Sequence, residues 1–142
     1  MAAASKATTI WEGSLTKGRG ATSTASGTLN EVEVTWQART DRTEDTTSPE
    51  ELLAAAHSAC FCMALSNGLA EAGNEAERLE ATATVAFVPG EGVKSSRIEL
   101  RARVPGIDQE AFEQAALDAK ENCPISGALK GNLDLSVEAT LE

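Results

Sequence analysis

The sequence contains no tyrosine, a single histidine and three cysteines, and only 4% of its residues are aromatic. Each scarcity excludes something. With so few rings, platforms on which nucleic acid bases could stack are scarce, and small residues must fill the core that large rings usually fill. One histidine rules out any mechanism that needs two imidazoles within one subunit. An odd, low number of cysteines disfavours a disulfide-stapled secreted scaffold, so the fold must rest on its core. Positive charge is also short: 12 Lys+Arg face 22 Asp+Glu, for a net charge of -10. Such a field repels phosphate backbones and anionic membrane surfaces, so neither nucleic acid nor a membrane is an expected partner. No apolar stretch of roughly 18 residues occurs, and the start MAAASKATTIWEG lacks the basic and apolar regions of a signal peptide. The expectation is a cytoplasmic chain whose thiols are kept reduced.

What is there is one domain's worth of chain, 142 residues with 42% hydrophobic content, expected to form a single domain over residues 1–142. Alternation with a period of two dominates. Val32, Val34, Trp36 and Ala38 carry it first, then Leu79, Ala81, Ala83, Val85 and Phe87, then Ile98, Leu100, Ala102 and Val104, and last Leu133, Leu135, Val137, Ala139 and Leu141. Each reads as a strand with one wet face. Pro89–Gly92 between the second and third predicts a hairpin. Weaker strands are expected at Thr8–Glu12 and Gly20–Thr24, around a turn at Lys17–Gly20, with a further turn at Ser26–Gly27.

Two segments break that period. Ser48-Pro49-Glu50-Glu51 is a helix start: a serine cap, proline at the first helical position, acidic residues in the first turn and a capping-box glutamate. The helix that follows, to about Gly73, is apolar or small nearly all round, as an interior helix is. A second helix begins after Asp108 with Phe112, Ala115, Ala116 and Ala119 on one stripe, and breaks at Cys123 before Pro124, leaving a short turn to Leu129. The order predicts an α+β fold without a repeating parallel βα pattern. One layer of strands covers only one side of the first helix. A homodimer with the two apolar helices packed centrally through their alanines supplies the other side.

Cys60 and Cys62 lie two positions apart on that helix and so point about 200° apart. They cannot share a task. Cys62, with nothing polar around it, reads as a small buried hydrophobe. Cys60 has His57 three positions before it on the same face, and Cys123 sits at a helix end, free to meet either thiol across the fold. A reactive thiolate needs positive charge nearby; the nearest upstream sources are Arg39 and Arg42. A zinc site from His57, Cys60 and Cys123 lacks a fourth ligand and C-x-x-C spacing.

The run Thr47-Ser48-Pro49-Glu50-Glu51-Leu52-Leu53-Ala54-Ala55-Ala56-His57-Ser58-Ala59-Cys60-Phe61, with Asn122-Cys123-Pro124-Ile125-Ser126 downstream, resembles the two signatures of the OsmC/Ohr family. The resemblance covers essentially the whole chain, from the opening W-E-G-x-L-x-x-G-x-G to the P-G-I-D before the second helix. It implies a cysteine-based peroxidase built as an intertwined α+β homodimer with active sites at the subunit interface. It further implies Cys60 as the peroxidatic thiol, Cys123 as the resolving thiol, Arg39 as the arginine that holds the thiolate, and Glu50 as the carboxylate that orients that arginine. The Ohr branch uses an arginine near Arg19, which is also present. The loop from Thr40 to Thr47 and the A-A-H-S-A-C-F-C-M-A-L-S segment look closer to the OsmC branch, which points to Arg39. His57 and Arg19 remain supporting candidates.

On a straight helix Glu50 lies ten positions before Cys60, about 15 Å along the axis. Either Arg39 and Glu50 act on the partner subunit's thiol or the helix is broken; the first is expected. The implied substrate is an organic hydroperoxide, with hydrogen peroxide as a second. No metal, haem or flavin is needed, since sulfur carries the redox change, and the electrons come from a dithiol, for which the family points to dihydrolipoyl groups on other proteins. Two other classes compete: a non-catalytic module binding a small apolar ligand, and a thiol redox sensor.

Overall fold

The computed structural model describes residues 2–42 and 45–142. Its internal contacts divide the chain into two compact units, Met1–Leu52 and Leu53–Glu142.

In the first unit, β1 (Ala7–Glu12), β2 (Arg19–Thr24) and β3 (Val32–Val34) form an antiparallel sheet in that order, followed by α1 (Trp36–Asp41). The turn expected at Lys17–Gly20 falls earlier, over Ser14–Gly18, because Arg19 and Gly20 already pair with β1, and the turn at Ser26–Gly27 is present. Gly18 closes the first by donating its N–H to the Ser14 carbonyl at 2.7 Å, where a Cβ would collide with backbone carbonyls. Gly27 takes φ +79° in the second. All six residues of β1 are exposed.

The strand expected through Trp36 and Ala38 is a correction: it stops at Val34. Thr35 leaves the ladder, and its hydroxyl accepts the Ala38 N–H at 3.0 Å, capping α1. Over four residues, alternation and a helical turn place apolar side chains equally well, and the threonine cap decides between them. Of the loop Thr40–Thr47, Thr43 and Glu44 lie outside the described residues. Thr47 returns beside β3, its N–H bonded to the Glu33 carbonyl at 2.8 Å.

The long helix α2 (Pro49–Glu71) starts as the sequence predicts, with the Ser48 hydroxyl accepting the Glu51 N–H at 3.1 Å. The capping-box glutamate takes a different partner: the Thr47 hydroxyl donates to Glu51 Oε1 at 2.6 Å. Among the described residues α2 alone has the length and apolar composition to cross a membrane. It is instead anchored as a core helix, since His57, Phe61, Leu65 and Leu69, four apart on one stripe, are buried.

The second unit holds β4 (Arg78–Val88), β5 (Gly92–Arg103), α3 (Gln109–Asn122), α4 (Pro124–Leu129) and β6 (Asp134–Leu141), with sheet order β4-β5-β6. The β4–β5 hairpin turns where Pro89–Gly92 predicts it. β6 pairs parallel with β5, because α3 and α4 carry the chain back to the starting end. α3 is capped by Asp108, whose carboxylate accepts the Ala111 N–H at 2.8 Å. The segment Pro124–Leu129, expected as a turn, is a helix: proline fits its first position, where an N–H has no helical partner.

The core of this unit joins Ile98, Leu100 and Ala102 of β5 with Phe61, Leu65 and Leu69 of α2, Phe112, Ala116 and Ala119 of α3, and Cys123. Among the described residues of this unit, that stripe is the buried part of α2. Ala55, Ala56, Ala59 and Ala70 are exposed, and Met63 is 74% exposed.

Candidate active site

Cys60 sits in the middle of α2, and Cys123 occupies the junction between α3 and α4 with extended backbone angles, φ -67° and ψ 119°. Because α3 and α2 pack on the same face of the sheet, the two thiols meet. Their sulfurs lie 3.1 Å apart across 63 positions of sequence, both reduced, with Cys123 buried and Cys60 partly exposed. A disulfide needs about 2.05 Å, so a small approach closes the bond. Cys62 stays apart, its thiol pushed up by burial and eased by a hydrogen bond to the Ala81 backbone.

The two thiols are held differently. Burial pushes the Cys60 thiol up and the hydrogen bond shared with Cys123 adds to this, with only the Ile125 backbone opposing. At Cys123 burial also raises the thiol. Interactions with the Ser126 backbone, the Cys60 thiol, the Ser126 side chain and the Ile125 backbone outweigh it, and leave Cys123 below the ordinary thiol value. Among the described residues, no cationic group contributes to the shift of the Cys60 thiol, and a standing thiolate requires positive charge nearby.

His57 is 2% exposed, and both its ring nitrogens are engaged: Nδ1 with the Ser96 hydroxyl at 2.6 Å and Nε2 with the Ser126 hydroxyl at 2.8 Å. Burial lowers its pKa, so the ring is neutral at pH 7. It ties α2 to β5 and α4. Neither serine was singled out from the sequence. Ser96 interrupts the apolar face of β5 just before Ile98, and a polar residue at an inward position was the one available signal.

In the first unit Arg39, on the last turn of α1, meets Glu50, on the first turn of α2. Nε donates to Oε1 at 2.8 Å and Nη2 to Oε2 at 3.0 Å. Glu50 is buried, and the guanidinium lies 5.9 Å from the centroid of the Trp36 ring. The early start of α1 therefore positions this pair: one turn of helix carries both Trp36 and Arg39. Arg19 opens β2 instead of sitting in a glycine-rich turn, and its exposed side chain approaches Glu33 at 3.5 Å. Arg42 ends α1, exposed, with φ +57°. Among the described residues no cluster of three or more His, Cys, Asp or Glu is arranged to hold a metal ion.

Residues 42–138 match the family model of OsmC-like protein. Peroxiredoxin OsmC of Escherichia coli (strain K12) is 40% identical over 131 residues, covering 90% of this chain and 91% of that protein. Organic hydroperoxide resistance protein OhrA of Bacillus subtilis (strain 168) is 33% identical over 102 residues, covering 70% of this chain and 72% of its own. Among solved structures, an organic hydroperoxide resistance protein from Elizabethkingia anophelis superposes with a TM-score of 0.70 at 28% identity, covering 99% of this chain and all of the other.

Proposed function

The chain belongs to the OsmC-like protein family and is a cysteine-based peroxidase, and from that premise we propose that it detoxifies organic hydroperoxides, and hydrogen peroxide as well, through a Cys60 sulfenic acid and a Cys60–Cys123 disulfide. The observation that carries this reading is the 3.1 Å approach of the two sulfurs. The Cys60 thiolate attacks one peroxide oxygen, the O–O bond breaks, and the alcohol leaves as the sulfenic acid forms. Cys123 then condenses with it before a second peroxide can oxidise it irreversibly. Sulfur carries the redox change, and a dithiol, with dihydrolipoyl groups as the candidate, returns the disulfide to thiols in a reducing cytoplasm.

The positive charge that Cys60 lacks comes from Arg39, held by Glu50. Because α2 runs without a break from Pro49 to Glu71, Glu50 stays about 15 Å along the axis from the Cys60 of its own helix. The working site therefore joins Arg39 and Glu50 of one subunit with Cys60 and Cys123 of its partner, in a homodimer built on the exposed alanine and Met63 face of α2, each chain acting as a single domain. His57 stands beside the site, and Arg19 is peripheral.

Incubation with one equivalent of cumene hydroperoxide, followed by thiol counting and intact mass, tests the reading. Loss of two thiols and two mass units per chain, absent in Cys60→Ser, is the expected result. Unchanged thiols would leave a non-catalytic ligand-binding module, and oxidation that does not turn over with excess dithiol would leave a redox sensor.

A further inference from the structure

Two contacts bridge α2 and the α3–α4 junction, about one helical turn apart. The sulfurs of Cys60 and Cys123 make the first, at 3.1 Å. His57 stands three positions before Cys60 on α2, and Ser126 three positions after Cys123 on α4. His57 Nε2 and the Ser126 hydroxyl make the second contact, at 2.8 Å. The imidazole is itself fixed, since Nδ1 meets the Ser96 hydroxyl of β5 at 2.6 Å, and all three residues are no more than 2% exposed. Ser126 is also the one fully buried residue of α4, with Ile125 partly buried against the core. The Cys123 N–H donates back to the Ala119 carbonyl at 2.8 Å, and the Cys123 carbonyl accepts the Gly127 N–H at 2.9 Å, so this residue closes α3 and opens α4. Pro124 has no N–H to carry the helical ladder across. The ladder is thus broken at the resolving thiol, and the His57–Ser126 contact is a buried polar tie that joins α4 to α2 beside it.

We propose that His57 is the positioning residue of the resolving step: through Ser126 it keeps α4 closed on α2, and so keeps the Cys123 sulfur within reach of Cys60. The inference rests on the peroxidase reading above. In that step the Cys123 sulfur attacks the Cys60 sulfur of the sulfenic acid, and the S–S bond forms as the S–O bond breaks. The electron pair of that S–O bond leaves with oxygen, which takes the thiol proton of Cys123 and departs as water. The Cys123 sulfur is oxidised and the Cys60 sulfur reduced, with no outside oxidant. Once made, the disulfide holds α4 to α2 by itself. The hydrogen-bonded tie acts before that, in the dithiol and sulfenic states, where no covalent bond joins the two elements. Without it the sulfurs spend much of their time apart, and the effective concentration of one at the other falls. The sulfenic acid is then left for a second hydroperoxide to convert to the sulfinic acid.

The test measures that closeness in whole protein carrying Cys62→Ser, so that only Cys60 and Cys123 take part. Equilibration with glutathione buffers gives the effective concentration of the pair. Rapid quench with dimedone trapping after cumene hydroperoxide gives the lifetime of the sulfenic acid. Removing a buried hydrogen bond shifts an equilibrium by about tenfold. Ser126→Ala should therefore lower the effective concentration by about tenfold, which raises the reduction potential of the pair by about 30 mV. The sulfenic lifetime should lengthen by the same factor, while the rate at which hydroperoxide first oxidises Cys60 should not change. Ser126→Thr, which keeps the hydroxyl, should restore both values. His57→Gln, whose longer amide reaches Ser126, should lie closer to the parent than His57→Asn. A residue that only stabilises the fold costs the dithiol and disulfide forms alike and leaves the glutathione equilibrium where it is. An effective concentration in Ser126→Ala equal to that of the parent would overturn the inference, as would identical values in the two His57 variants, which decide alone if Ser126→Ala fails to fold. Thiols that never react with the hydroperoxide would instead overturn the peroxidase reading; the glutathione equilibrium, which uses no peroxide, then still decides whether the tie sets the pair.

Discussion

Arg39 grips Glu50 through two parallel hydrogen bonds, 2.8 and 3.0 Å long, with the carboxylate buried and the guanidinium half-buried. A fork of this kind fixes the plane of the guanidinium as well as its position. Lysine keeps the charge and loses the fork. Arg39→Lys should therefore lower kcat/KM for cumene hydroperoxide by about 10- to 100-fold, within the range for losing one oriented donor at a reacting oxygen. Glu50→Gln keeps the shape but weakens the hold and should cost about tenfold. Steady-state peroxide consumption with a dithiol checks both, and full activity in Arg39→Lys would remove Arg39 from the site.

If the site is shared between subunits, two dead parents can make one live site. A Cys60→Ser subunit still offers Arg39, and an Arg39→Ala subunit still offers Cys60. In their heterodimer one site then holds both wild-type residues and the other holds neither. Mixed and re-equilibrated subunits should recover up to about half the wild-type activity per heterodimer. Activity no higher than that of the parents would place Arg39 and Cys60 in the same subunit.

His57 makes stability depend on pH in a defined direction. Burial lowers its folded pKa below 6.5, its ordinary value, so between the two values the unfolded chain binds a proton that the folded chain refuses. The proton balance favours the unfolded state, and stability rises with pH through that window and levels off above pH about 6.5. In urea unfolding the free energy should fall on going from pH 7 to 5.5, by at most about 1.4 kcal/mol per unit. This component should vanish in His57→Gln. A wild-type curve that is flat over that range would mean that the ring protonates in place.

Much of this was legible because local signals and burial agreed. Ser48, Pro49 and Asp108 announced their helices, and Pro89–Gly92 its hairpin, since caps and turns are satisfied within four residues. Thr35 shows where local reading stops: Val32, Val34, Trp36 and Ala38 fit a strand on paper, and one side-chain hydrogen bond ends it. The pairing of β5 with β6, and the meeting of His57 with Ser96 and Ser126 across 39 and 69 positions, are decided by the packing of whole elements. No spacing rule reaches that far. Cys60 and Cys123 were legible as a pair through their resemblance to a family, and their 3.1 Å approach is a property of the fold.

The exposed face of α2 gives the last prediction. Met63 is 74% exposed in the chain, so changing it disturbs no internal packing and should shift the intrinsic stability of the chain by no more than about 0.5 kcal/mol. In a dimer that packs α2 against α2, the same side chain is desolvated. A carboxylate there, as in Met63→Glu, is a buried unpaired charge that costs about 3 kcal/mol, more than a hundredfold in the dissociation constant. Sedimentation velocity at micromolar concentration should show the wild type as a dimer and Met63→Glu shifted to monomer, with far-UV circular dichroism unchanged. Because Arg39 reaches the partner's thiol in the shared-site arrangement, peroxidase activity should fall with the dimer and return as protein concentration is raised. A Met63→Glu protein that remains dimeric and fully active would exclude this face of α2 from the interface.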